Sequence, residues 1–199
     1  MTYIVFDMEW NQPSSKEQKI TEPATLYGEV IQIGAVKLNE QFNITDTFNQ
    51  IVKPVYYVKM NSVVKKLTGI GDERLSSGIP FPEAYERFMD FCTDDFSLLS
   101  WGNDDIHVLK ANMTIHGITT DRFPTTYNIQ QIFGRQIAKT KKQISLERAI
   151  EMLDEPSYCA HDALNDAISA ARVCRHLDLS NEPTTYKRKN KKKKIKALA

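Results

Sequence analysis

Residues 3–10 read YIVFDMEW. Four apolar residues run into Asp7, Met8 intervenes, and Glu9 follows. A short apolar run rich in aromatic and β-branched residues has the character of a buried strand. Side chains at i and i+2 of a strand share a face, so the two carboxylates at its tip would stand side by side. Two close anions repel, and burying them costs several kcal/mol unless something positive lies between them. Carboxylate oxygens suit hard divalent ions such as Mg²⁺ or Mn²⁺.

Outward from that strand, residues 12–28 (QPSSKEQKITEPATLYG) are polar, contain Pro13 and Pro23, and read as a loop. EVIQIGAVKLN supplies a second strand over roughly Val30–Leu38, Asn43 marks a turn, and ITDTFNQIVKP supplies a third strand ended by Pro54. Three strands with short links imply an antiparallel meander. The pattern then changes. Residues 59–67 predict a short helix closed by Thr68-Gly69, and FPEAYERFMDFC a helix with Pro82 in its first turn. SLLSW reads as a fourth strand. DDIHVLKANMTIHG follows as a helix with Ile106, Leu109 and Met113 on one face and Gly117 as its stop. Residues 126–135, 145–153 and 162–177 predict three further helices, with Pro156 separating the last two. No internal repeat interrupts this order. The expected fold is one three-layer α/β domain around a mixed sheet, antiparallel over its first three strands.

The bulk composition agrees. A chain of 199 residues, 41% apolar, fits one domain with room for a tail. No run approaches the roughly 20 apolar residues of a membrane span, and MTYIVFDMEW carries no basic leader, so no secretory signal is expected. Cys92, Cys159 and Cys174 are odd in number and lack CxxC spacing. That argues against a disulfide framework or a zinc site and for a reducing, cytoplasmic setting. The formal net charge of +1 hides a division: residues 183–199 hold eight Lys or Arg and no acid, leaving residues 1–182 with 25 acids against 18 basic side chains. A basic arm on an acidic body draws phosphate backbones by counterion release; the plainer role is a solvated tail that aids solubility.

Two more places combine acids with an element boundary. In WGNDDIHVLK a strand ends at Trp101, Gly102 permits a turn, and Asp104 or Asp105 could cap the next helix. One cap suffices. Asp105 is the site candidate, because Val108 and Leu109 follow at i+3 and i+4 and would anchor its face in the core. In YCAHDALNDAISAARVC, His161 precedes Asp166 by five residues. Five helical steps turn about 500°, so both cannot share a helix face. If His161 lies in the loop before the helix and Asp162 caps it, His161 and Asp166 converge. Alone, His161 reads as a surface-loop histidine. Jointly, four acids and a histidine are the parts of two-metal phosphoryl transfer, in which two ions about 4 Å apart steady the attacking and leaving oxygens. A histidine suits the base, its type titrating near ~6.5.

These residues, Asp7 and Glu9 in FDMEW, Asp105 in WGNDDIHVL, and His161 with Asp166 in AHDALND, resemble the DEDDh group of 3′–5′ exonucleases in the DnaQ-like part of the ribonuclease H-like superfamily. EVIQIGAV and the IVKP…LTGI stretch are similar to that family's second and third strands and following helix. The resemblance covers roughly residues 1–178, with 179–199 as a basic, disordered tail, and is nearest to the ERI-1-like exonucleases and bacterial KapD-type proteins. It implies a ribonuclease H-like three-layer α/β fold, with a mixed central sheet whose first three strands are antiparallel and later strands parallel, flanked by helices. It also implies hydrolysis of single-stranded RNA or DNA from a free 3′ end to nucleoside 5′-monophosphates. It further implies that Asp7, Glu9, Asp105 and Asp166 hold two Mg²⁺ or Mn²⁺ ions, that His161 is the general base, and that the terminal nucleotide touches Met8 and the residue after Glu9. Many relatives place Thr there; this chain has Trp10, a candidate to stack on a base or to pack under the 12–28 loop. A regulatory nucleic-acid-binding protein with little catalysis, or a phosphodiesterase of small dinucleotides, would share these features.

Overall fold

The computed structural model describes residues 2–121, 123–156, 160–182 and 184. The first strand, β1 (Thr2–Asn11), runs longer than its apolar core and carries Asp7 and Glu9 inside it. It pairs antiparallel with β2 (Glu29–Leu38), which pairs antiparallel with β3 (Ile44–Ile51). On the other side β1 pairs parallel with β4 (Phe96–Ser100), and β4 pairs parallel with β5 (Thr125–Asn128). The sheet order is therefore β3-β2-β1-β4-β5, the mixed sheet anticipated from the meander.

Alternation along β1 divides the core. Ile4, Phe6 and Met8 face one layer, where Phe88 of α3 (Phe81–Cys92) and Leu109 of α4 (Asp104–Ile115) pack with Ile33 and Leu98. Val5 faces the other layer. There α5 (Ile129–Gln136), α6 (Leu146–Met152) and α7 (Ala163–Cys174) bring Phe133, Ile150 and Ala170 against Val36 and Leu99. By the same alternation Asp7 and Glu9 point toward the α7 side. Two short helices, α1 (Ser62–Thr68) and α2 (Asp72–Ser76), close a small cluster of Ile31, Met60, Val64, Ile70 and Leu75. Gly69 ends α1 at φ 67, and Gly117 lies beyond α4 at φ 70, left-handed positions that favour glycine.

Two expectations need correction. Residues 126–128, expected to begin a helix, belong to β5, and the helix starts only at Ile129. The apolar spacing of Tyr127, Ile132 and Phe133 hid the change: Asn128 ends the strand and caps the helix by accepting the Gln131 N–H at 2.9 Å. The α2 helix was not expected. Packing also continues past 178, since Leu179 is buried and Glu182 bonds to Gln136. Cys92 and Cys174 are buried free thiols. Cys159 and the lysine-rich residues 187–196 lie outside the described residues. No helix among the described residues is long and apolar enough to cross a membrane.

Candidate active site

β2, α4 and α7 meet β1 around Asp7 and Glu9. Asp7 pairs across the sheet with Gly34 and Glu9 with Gln32. Gly34 explains how α7 arrives. A Cβ there would stand 2.2 Å from the backbone of Ala163 and Leu164, so only glycine lets the helix N-terminus rest on β2. The helix matches it with small residues, Ala163, Ala167, Ala170 and Ala171, all buried. Asp162 caps α7, accepting the Asn165 N–H at 3.2 Å, and also accepts from Gln32 Nε2 at 3.1 Å. Arg74 of α2 approaches the same carboxylate at 3.7 Å. These contacts hold the helix start against β2 and set Asp166 one turn in.

His161 sits just before that cap at φ 64, unusual for a residue with a Cβ. Its backbone N–H donates to Asp166 Oδ2 at 3.0 Å, which turns the exposed ring toward the acids. Ligand atoms of Glu9, His161 and Asp166 all lie within 4.8 Å of one another. Asp7, His161 and Asp166 line one cavity of about 330 Å³, walled on its far side by Trp101, Ser145, Leu146 and Glu147. Asp105 comes from the first turn of α4. It is only 4% exposed, and its Oδ1 accepts the Met8 N–H at 3.0 Å, tying the start of α4 to β1. Asp104 beside it remains exposed. Neither acid is the helix cap, a position taken by Asn103.

The electrostatics follow from this crowding. Burial pushes Asp7 well above the usual carboxylate range, and Asp105, Asp166 and Glu9 add repulsion. Asp7 is half-buried and lines the cavity. Burial, then Asp166 and Asp105, raise Glu9 to about 8. Burial raises Asp105 to about 7, although the Met8 N–H pulls it back. Burial raises Asp166 too, while the His161 N–H lowers it. Among the described residues no Lys or Arg side chain forms an ion pair with any of the four. A set of oxygen donors that resists ionising for want of positive charge fits a divalent cation.

The two substrate candidates fare differently from the acids. The Met8 side chain is 2% exposed and buried on the opposite face, because alternation sends it away from Asp7 and Glu9; its N–H is taken by Asp105. Its side chain therefore presents no surface to a ligand. Trp10 packs on Gly28, where a Cβ would lie 2.2 Å from its ring, and against the α3–α4 layer. It serves the 12–28 loop. Asn11 adds to that anchoring, donating to the Tyr57 and Lys59 carbonyls at 2.6 and 3.0 Å. Gln32, Arg74 and Gly34 were not singled out from sequence. Gly34 alone carried a signal, as a lone glycine inside an alternating strand marks a close backbone approach.

The family model of the RNase_T exonucleases matches residues 4–174. A PolC-type DNA polymerase III of Caldanaerobacter subterraneus subsp. tengcongensis is 25% identical over 171 residues, 86% of this chain but only 11% of that protein. The chain thus spans about a tenth of that relative's length. The probable 3′-5′ exonuclease KapD of Bacillus subtilis is 24% identical over 174 residues, covering 85% of this chain and 81% of that one. Among solved structures, the nuclease domain of 3′hExo, a DEDDh family member bound to rAMP, superimposes with a TM-score of 0.80 at 21% identity, over 94% of this chain and 96% of that one. At that identity the superposition speaks to the shared ribonuclease H-like fold.

Proposed function

The chain belongs to the RNase_T exonuclease family, and from that premise we propose that it is a 3′–5′ exonuclease of the DEDDh kind, hydrolysing single-stranded RNA or DNA from a free 3′ end to nucleoside 5′-monophosphates. The observation that carries this reading is the cluster around Asp7 and Glu9 of β1. Four carboxylates with raised pKa values gather there, Asp7 and Asp166 line one open cavity with His161, and ligand atoms of Glu9, His161 and Asp166 lie within 4.8 Å of one another.

Asp7, Glu9, Asp105 and Asp166 would hold two Mg²⁺ or Mn²⁺ ions. When bound, such ions supply Lewis-acid stabilisation of charge on the oxygens of the scissile phosphate. The chain's own residues do the rest. His161 accepts a proton from the attacking water at a ring nitrogen. The water oxygen bonds to phosphorus and the P–O3′ bond breaks. Its electron pair leaves with the 3′-oxygen of the shortened strand, which takes a proton from solvent. The Asp166–His161 backbone bond keeps the ring beside the acids through that step. The Lys-rich tail adds phosphate attraction. Relatives whose names speak of a DNA polymerase and of rAMP leave both sugars open as substrates.

The test uses 3′- and 5′-labelled single-stranded RNA and DNA with Mg²⁺, Mn²⁺ or EDTA, beside Asp7→Ala and His161→Ala. Metal-dependent loss of single nucleotides from the 3′ end is expected. Losing the base should slow it ~10²–10⁴-fold. Cleavage that persists in EDTA, or full activity in His161→Ala, refutes the assignment.

A further inference from the structure

A second surface, beside the catalytic cavity, has no part in the chemistry above. Residues 122–146 hold five Lys or Arg and no acid, within a body of 25 acids over residues 1–182. Part of that stretch builds a cleft of about 410 Å³ between α5 and the loop after it, lined by Gln130, Gln131, Arg135, Thr140, Lys141 and Lys142. The loop is fastened at both ends. The Thr140 N–H donates to the Gly134 carbonyl at 2.9 Å, and Gly134 lacks the Cβ that would press on the Thr140 carbonyl at 3.0 Å. At its far end the Ile144 carbonyl accepts from Trp101 Nε1 at 3.0 Å and Gln130 Nε2 at 2.8 Å.

That far end leads into the catalytic cavity. Trp101 and residues 145–147 form the wall facing Asp7, His161 and Asp166. Lys142 is three residues from Ser145, at most ~10 Å of extended chain. Lys139, Lys141 and Lys142 are exposed, and among the described residues none pairs with a carboxylate. Three cations on a short, tethered loop repel one another and are complemented by a chain of anions. Arg135 supplies position instead of free charge, because it pairs with Glu182, which also accepts from Gln136 Nε2 at 2.8 Å. Glu182 is thereby fastened to the same helix.

Resting on the exonuclease reading, we propose that the α5 ledge, through Lys139, Lys141 and Lys142 with Gln130 and Gln131, binds the backbone phosphates 5′ of the scissile one. The substrate is then a polymer, held along several nucleotides, and not a dinucleotide. The ledge reads no sequence; it holds the strand while successive 3′ ends enter the cavity.

The test measures binding of fluorescent single-stranded RNA in EDTA, where turnover is absent, for a trinucleotide and a fifteen-nucleotide strand. Wild type is compared with the triple variant Lys139→Ala/Lys141→Ala/Lys142→Ala and with Lys141→Glu. The expected result is about tenfold weaker binding of the long strand by the triple variant, with the trinucleotide unchanged. The salt slope should fall by ~2, from ~0.7 per phosphate contact on a single strand. In Mg²⁺ the loss should appear in KM for the long strand, with kcat retained. Equal affinity of wild type for both lengths, or a loss in the variant that ignores length, overturns the proposal and leaves a solvated face. Long-strand binding that depends on the lysines without any cleavage keeps the ledge and refutes the exonuclease reading instead. Unchanged thermal melting of the exposed-lysine variants separates either result from misfolding.

Discussion

Divalent-ion stabilisation of this protein should switch on with pH, and the site sets the size of the effect. Without ions, Glu9 and Asp105 lie at about 8 and about 7, against ordinary values of 4.5 and 3.8. Both folded-state values are raised, so the protonated state favours folding. That stability is fully present below the unfolded values and is lost as pH rises through the folded ones. The metal-free melting temperature should therefore fall between about pH 4.5 and pH 8. An ion that needs both carboxylates ionised must displace their protons. At pH 5.5 this lowers apparent affinity by up to ~10⁴-fold, at ~1.4 kcal/mol per pH unit for each group. At pH 8.5 the penalty nearly vanishes. An ion at a hundred times its Kd then stabilises by ~2.7 kcal/mol, or ~5–10 °C for a domain of this size. The assay is thermal unfolding followed by circular dichroism, in EDTA and in fixed Mg²⁺ or Mn²⁺, across that range. The ion-induced rise should be large at pH 8.5 and absent at pH 5.5. In Asp7→Asn both the metal-free decline and the ion-induced rise should shrink. An equal rise at both pH values, or a full rise in Asp7→Asn, refutes the argument.

Two further outcomes follow from the packing and the charge. Gly34→Ala places a methyl on the backbone of Ala163 and should cost ~1–3 kcal/mol in denaturant unfolding. Because the same contact seats α7, kcat should fall as well; full activity would show that Asp166 does not depend on that approach. Removing residues 183–199 deletes eight cations and should weaken strand binding and flatten its salt dependence; unchanged binding at low salt would make the tail a solubility device.

Some of this architecture was legible because it is local. Period-2 alternation in YIVFDMEW set Asp7 and Glu9 on one face and Met8 on the other, and the structure keeps that arrangement. The choice of Asp105 over Asp104 rested on the apolar residues at i+3 and i+4, and burial agrees. The capping of α7 by Asp162 is likewise a matter of a few neighbouring residues. The β5 strand escaped because its four residues run straight into a helix with the same apolar spacing, and only pairing with β4 makes them a strand.

Legible from local pattern alone were the order of the meander strands, the shared face of Asp7 and Glu9, and a histidine ahead of its helix. What only the tertiary structure decided was convergence. Asp7 and Asp166 lie 159 residues apart in sequence, and they meet because Gly34 opens β2 to the N-terminus of α7. The Met8 N–H of β1 reaches Asp105 of α4, Gln32 reaches Asp162, and Trp10 packs on Gly28. Such contacts depend on three-dimensional distance, which sequence spacing does not encode. The raised carboxylate pKa values arise from that same closeness, since neither desolvation nor repulsion exists until the chain has folded.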